Sequence, residues 1–156
     1  MHYLLILSFG SNIGDRCVNI ANAFDILRSR LINNYAEISS LIVTEPLLTD
    51  HSPEEWKSMK YVNACAAINL TKYYHPTQIL QIIKATETEL GRVEHHQKWG
   101  PREIDIDIVH YGNIQYRSRF LTIPHSEYLK RDFVLTPMAE LCTNRDHVPK
   151  LRTVLQ

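Results

Sequence analysis

The chain has 156 residues, with 17 basic and 17 acidic side chains and no net charge. A length near that of one ordinary domain, 44% apolar and 22% charged residues exclude disordered, collagen-like and fibrous chains and predict a single domain over 1–156. The charge balance argues against a protein that coats nucleic acid or a membrane surface, and leaves room only for a local basic site.

The elements follow from periodicity. No apolar run approaches the roughly 18 residues a bilayer-spanning helix needs. The opening MHYLLILSFGSN lacks a basic leader region and reads as a strand over 3–9. GSNIGDR, residues 10–16, is a turn into a helix, with Asn12 or Asp15 able to cap it. Ile20, Phe24, Leu27 and Leu31 recur at helical spacing. A second strand fits 36–44, a long loop 45–60 and a third strand 61–71. Pro76 suits a helix start and Gly91 a position just past its end. A polar loop over 92–102 leads to a strand over Ile104–Tyr111, then a hairpin and loop over 112–125, and Pro137 opens a short final helix. The β-α-β-β-α-β order predicts a ferredoxin-like α+β sandwich, a mostly antiparallel sheet with helices on one face, a C-terminal hairpin and short helices. The other face is then free for a site. Cys17, Cys65 and Cys142 are odd in number and far apart, which suits reduced thiols in a cytoplasm.

The sharpest chemical feature is WGPREIDID, residues 99–107. Strand alternation sends Ile104, Ile106 and Ile108 into the core and puts Asp105 and Asp107 together on the opposite face, with Cα atoms about 6.6 Å apart. Two adjacent carboxylates repel, and aspartate is a poor strand former. A divalent cation with oxygen ligands compensates both problems; the plain alternative is a solvated acidic face. The preceding loop offers Arg92, Lys98 and Arg102, with His95 and His96 between. Such cations beside paired carboxylates suit a metal-bound polyphosphate. The alternative for them is salt bridging to Glu87, Glu89 and Glu94. Trp99 is a core plug or a seal over a closed site. GSNIGDR lacks the spacing of a P-loop. Tyr61 and Asn63 in YVNA share a strand face and could hold a flat heterocycle. His125, Arg131 and Phe133 lie in LTIPHSEYLKRDFVL.

Together, GSNIGDR, TEP, YVNA, ELGR, WGPREIDIDI and LTIPHSEYLKRDFVL, in this order over most of the chain, resemble the 6-hydroxymethyl-7,8-dihydropterin pyrophosphokinases of folate biosynthesis. The resemblance implies transfer of pyrophosphate from ATP to the pterin hydroxymethyl group, with release of AMP. It implies two Mg²⁺ ions on Asp105 and Asp107, and Arg92 and Arg102 as catalytic cations. It assigns ATP contacts to Lys84, Glu87, Lys98, Trp99, Ile108, Thr122, His125, Ser126 and Arg131. It assigns the pterin to Thr44, Pro46, Leu47, Tyr61, Asn63 and Phe133. Its partners would be the pterin and ATP, on a cytoplasmic monomer that associates with other folate-pathway enzymes. The chain departs from the family pattern at Glu94 and Lys98, where arginines are usual, and at Lys84, where a glutamine is usual. Lysine keeps the charge but not the bidentate geometry of arginine. Two other classes compete with this one: a Mg²⁺-dependent phosphohydrolase or nuclease on the same aspartates, and a non-catalytic nucleotide- or RNA-binding module.

Overall fold

A computed structural model describes residues 3–46, 48–92 and 101–143, with only the backbone of 142 and 143. β1 (Tyr3–Ser11) is the middle strand, as its unbroken apolar run requires. It pairs antiparallel with β4 (Tyr61–Leu70) on one side and β5 (Asp105–Tyr111) on the other. β2 (Asn33–Ile38) and β3 (Ile42–Thr44) both pair antiparallel with the outer edge of β4, giving the order β2-β4-β1-β5 with β3 beyond β2 along that edge. This antiparallel sheet with its helices is the expected ferredoxin-like arrangement.

The expected strand over 36–44 is divided in two. At the break the Ser39 hydroxyl accepts the Cys65 N–H (3.0 Å), and the Ser39 N–H donates to the Cys65 carbonyl (2.8 Å). A serine side chain thus substitutes for one rung of the ladder, and the backbone turns away.

α1 (Arg16–Arg30) and α2 (Pro76–Glu89) cover one face of the sheet. Asp15, not Asn12, caps α1 by accepting the Val18 N–H. Pro76 starts α2 under a His75–Gln78 capping box, and Gly91, at φ +98°, follows its end. Ile20, Phe24 and Leu27 of α1 and Ile79 and Ile83 of α2 pack on Leu5, Leu7, Phe9, Ile106 and Ile108. At the far end of this core the Tyr111 hydroxyl donates to the Tyr74 carbonyl (2.7 Å) and accepts the Tyr74 N–H (3.0 Å).

The opposite face is not free throughout. β6 (Tyr116–Arg117) and β7 (Thr122–Ile123) form a short hairpin, and α3 (Asp132–Thr143) then lies across the sheet. Val134, Met138 and Leu141 of α3 pack on Leu4, Ile6, Cys65, Ala67 and Val109. Pro137 stands inside this helix and does not open it. The N–H groups of Val134 and Leu135 already bond the Arg131 carbonyl, and the apolar spacing of the helix outweighs the one hydrogen bond that proline removes.

Replacing Tyr111 by Phe leaves the Tyr74 N–H and carbonyl without their buried partner. The expected loss, by urea unfolding, is about 1–3 kcal/mol.

Candidate active site

Along the α3 side of the sheet, three strands change character at the same level. β1 runs Leu4, Ile6, then Ser8 and Gly10. β4 runs Ala67, Cys65, then Asn63 and Tyr61. β5 runs Val109, then Asp107 and Asp105. The register sets Asp107 opposite Ser8 and Asp105 opposite Gly10, with Gly10 opposite Asn63. The apolar half is covered by α3, and the polar half is the floor of a cavity. Gly10 leaves that floor open: a Cβ there would stand 3.3 Å from Asn63 Oδ1 and 3.6 Å from the Tyr61 ring.

Asp105 is held by two cations. Arg92 Nη1 donates to Asp105 Oδ1 (2.7 Å), and Arg102 Nη1 to Asp105 Oδ2 (3.3 Å). Arg92 also donates to Glu87 Oε2. The same Glu87 oxygen accepts the Ile106 N–H (3.0 Å), and Lys84 Nζ stands 3.1 Å from Oε1. Glu87 is only 2% exposed. Its carboxylate faces inward, pins the start of β5 and orients Arg92; it lines neither of the two cavities that meet at Asp107. The salt-bridge alternative for the loop cations therefore holds at Glu87, alongside the carboxylate pair. Asp107 has a different environment. Burial and the neighbouring Asp105 charge push it up to about 7, against the pull of Arg131 and Lys84.

Two cavities meet at Asp107. The first, about 580 Å³, is lined by Ser8, Phe9, Gly10, Thr44, Glu45, Tyr61, Asn63, Arg102, Asp105, Asp107, Arg131 and Phe133. Asn63 Nδ2 donates to Thr44 Oγ1 (2.7 Å), which fixes the amide and aims its carbonyl. The Arg131 guanidinium lies 5.6 Å from the centroid of the Phe133 ring, a stacked cation. Burial raises the Tyr61 phenol above its ordinary value, so its hydroxyl stays protonated. The site offers two aromatic rings, a fixed amide and the cations Arg102 and Arg131, which suits a flat polar heterocycle.

The second cavity, about 740 Å³, is lined by Leu80, Ile83, Lys84, Ile106, Asp107, Ile108, Ser118, Arg119, Phe120, Leu121, Thr122, His125 and Ser126. Its lining combines aliphatic side chains with Lys84, Arg119 and His125. Burial, and then the Arg131 charge, hold His125 below its ordinary value. His125 Nδ1 accepts the Glu127 N–H (3.1 Å), so the neutral ring carries its proton on Nε2.

The structure thus brings Thr44, Tyr61, Asn63, Phe133, Asp105, Asp107 and Arg102 to one cavity, and Lys84, Ile108, Thr122, His125 and Ser126 to the other. Arg131, expected at the nucleotide, lines the first cavity. Arg92 reaches the site through Asp105, Glu87 is turned inward, and Pro46 lies off both walls. Leu47, Lys98, Trp99 and Glu94 fall outside the described residues. Sequence reasoning missed Ser8 and Gly10 in the floor, Glu45, and the Arg119–Phe120 hairpin tip. The small residues following bulky ones in Leu4-x-Ile6-x-Ser8-x-Gly10 were the available signal.

Among the described residues, no group of three or more His, Cys, Asp or Glu is placed to hold a metal. Asp105 and Asp107 both line the first cavity, and Asp107 also lines the second. That suits a hard cation taking its other oxygens from phosphate and water.

The family model of 7,8-dihydro-6-hydroxymethylpterin-pyrophosphokinase matches residues 6–143. A folate synthesis bifunctional protein of Chlamydia muridarum is 40% identical over 141 residues, 89% of this chain and 30% of that protein. The chain thus spans under a third of that bifunctional relative. A 2-amino-4-hydroxy-6-hydroxymethyldihydropteridine pyrophosphokinase of Bacillus subtilis is 29% identical, over 91% of this chain and 80% of that protein. A crystal structure of an HPPK-DHPS protein in complex with substrates superposes with a TM-score of 0.62 at 14% identity, over 99% of this chain and 43% of the other. That superposition shows a shared fold, and the match over 6–143 places this chain in the 7,8-dihydro-6-hydroxymethylpterin-pyrophosphokinase family.

Proposed function

We propose that this chain transfers the β,γ-pyrophosphoryl group of ATP to the hydroxymethyl oxygen of 6-hydroxymethyl-7,8-dihydropterin and releases AMP, a step of folate synthesis. The observation that carries this reading is the junction of the two cavities at Asp107. A heterocycle slot on one side and a cavity lined by Lys84, Arg119 and His125 on the other meet at Asp107, one of the carboxylate pair. The pterin would lie between Tyr61 and Phe133, its edge read by Asn63 and the backbone near Thr44. The nucleoside would lie against Ile83 and Ile108, with its phosphates running toward Asp107.

The attacking oxygen displaces AMP in line at the β-phosphorus, which asks for positioning and charge neutralisation more than for a covalent partner. Asp105 and Asp107 would hold two Mg²⁺ ions, which when bound neutralise phosphate oxygens and acidify the hydroxymethyl group. Arg102, on the wall of the first cavity, meets negative charge developing on the transferred group. Arg92, steered by Glu87 and Asp105, adds a second cation. His125, neutral with its proton on Nε2, is a donor to a phosphate or ribose oxygen. The free thiols of Cys17 and Cys65 suit a cytoplasmic setting. The bifunctional names of relatives support association with a further folate-synthesis activity.

The direct test mixes the protein, Mg²⁺, ATP and the pterin and separates the nucleotides. Pterin-dependent AMP is expected, and Asp107→Ala is expected to lower kcat by about a hundredfold or more. ADP in place of AMP would refute the donor phosphorus assigned here. Glu87→Gln removes the charge that steers Arg92 while leaving the cavity walls intact. Its expected effect is a fall in kcat of roughly tenfold with the KM for ATP little changed, whereas a raised KM alone would put Glu87 at the nucleotide.

Asp107 also predicts a pH dependence of stability. Its carboxyl titrates at about 7 in the folded protein, above its ordinary 3.8. The folded state therefore gains stability as pH falls through 7 toward 4, and loses it as pH rises through 7. In EDTA, Asp107→Asn is expected to melt above the unsubstituted protein at pH 8, with the gap narrowing by pH 5 in thermal scans.

A further inference from the structure

The turn between β1 and α1 fits no phosphate-binding pattern, and the proposed reaction uses none of its side chains. One asparagine of this turn, Asn12, and one in the helix it leads into, Asn19, nevertheless reach across to the chain entering β5. Asn12 is 7% exposed. Its Oδ1 accepts the Arg102 N–H (2.8 Å), and its own N–H donates to the Arg102 carbonyl (3.3 Å). Asn19, in the first turn of α1, aims Nδ2 at the Ser11 hydroxyl (3.3 Å), the Ile13 carbonyl (3.1 Å) and the Glu103 carbonyl (3.1 Å). Two side-chain amides thus bracket residues 102 and 103 against the end of the central strand.

The bracket matters because of what lies beyond it. Arg102 lines the first cavity and touches Asp105 at 3.3 Å. Its Nε is buried with no hydrogen-bond partner among the described residues. The guanidinium is therefore aimed jointly by its contact with Asp105 and by where its backbone is fixed. An arginine anchored at its own N–H and carbonyl swings through a smaller arc, and a cation misplaced by about 1 Å can cost on the order of a hundredfold in rate.

We infer that Asn12 and Asn19 are positioning residues for Arg102, holding its backbone so that its charge meets the reacting group; this rests on the transfer reaction proposed above. Neither asparagine lines either cavity. Their removal should act through Arg102 and spare the grip of Tyr61, Asn63 and Phe133 on the pterin.

A double-mutant cycle tests this. Asn12→Ala is expected to lower kcat about tenfold or more with the KM for the pterin within about threefold, and to cost less than about twofold in an Arg102→Ala background. Equal losses in both backgrounds, or none in the first, would overturn the inference. If the alanine variant does not fold, Asn12→Asp decides, because it keeps the acceptor in the same shape. A kcat within about threefold of the unsubstituted protein is then expected, and a larger loss that Arg102→Ala does not absorb would refute the bracket. Absence of pterin-dependent AMP from the unsubstituted protein would defeat the functional proposal and this inference with it; normal turnover with additive losses defeats the inference alone.

Discussion

Where α3 ends its cover of the sheet is set by side-chain size on β1. Leu4 and Ile6 fill the space beneath Val134, Met138 and Leu141, while Ser8 and Gly10 fill almost none of theirs. Close-packed interiors do not leave such a step unresolved. One half of the face becomes a second core and the other a cavity, with the boundary running across three strands at one level. Everything in the site depends on that step. Asp105 and Asp107 stand opposite the two small residues, so their carboxylates project over open floor. A bulky residue at position 10 would press on Asn63 and Tyr61 and fill the first cavity.

The charges above this floor are arranged as a chain. Glu87 holds Arg92, Arg92 holds Asp105, and Asp105 holds Arg102. The side chains of Glu87, Arg92 and Arg102 are 2%, 13% and 10% exposed, so each is costly to leave unpaired. Such a chain is poor at raising stability, since buried ion pairs recover little more than their desolvation cost. It is good at fixing where cations point. Asp107 stands outside the chain, with its charge opposed by burial and by Asp105. The residue with the least internal compensation is the one where the two cavities meet, which is where a polyphosphate with its metal would supply what the protein does not.

Much of this was legible in the sequence because it rests on local rules. The run from Tyr3 to Ser11, the Pro76 and Gly91 bounds of α2 and the alternation of IDIDI each follow from one element's own periodicity. The sheet order follows from the ferredoxin-like succession. The misses are all non-local. Pro137 resembles a helix start by composition, and only the sheet beneath Val134 and Met138 shows that the helix is already under way. Ser39 breaks a strand through a hydroxyl bonded to a residue 26 positions away. Arg131 lines the first cavity, where its guanidinium stacks on Phe133, a placement that no spacing encodes.

Glu87 illustrates the same limit within the site. On one face of α2, four residues before Gly91, a carboxylate near a basic loop reads as a ligand contact. Folded, it accepts the N–H of Ile106 and the guanidinium of Arg92, so one side chain fixes both the first residues of β5 and the cation beside them. That double duty links the α2 layer of the core to the cavity face on the other side of the sheet. The carboxylate pair is displayed on a strand whose N-terminal end is tied down from beneath by Glu87 and from the side by Asn12 and Asn19. The fold thereby makes rigid the one strand that local propensity disfavours, and two aspartates in a sheet become a platform with fixed geometry.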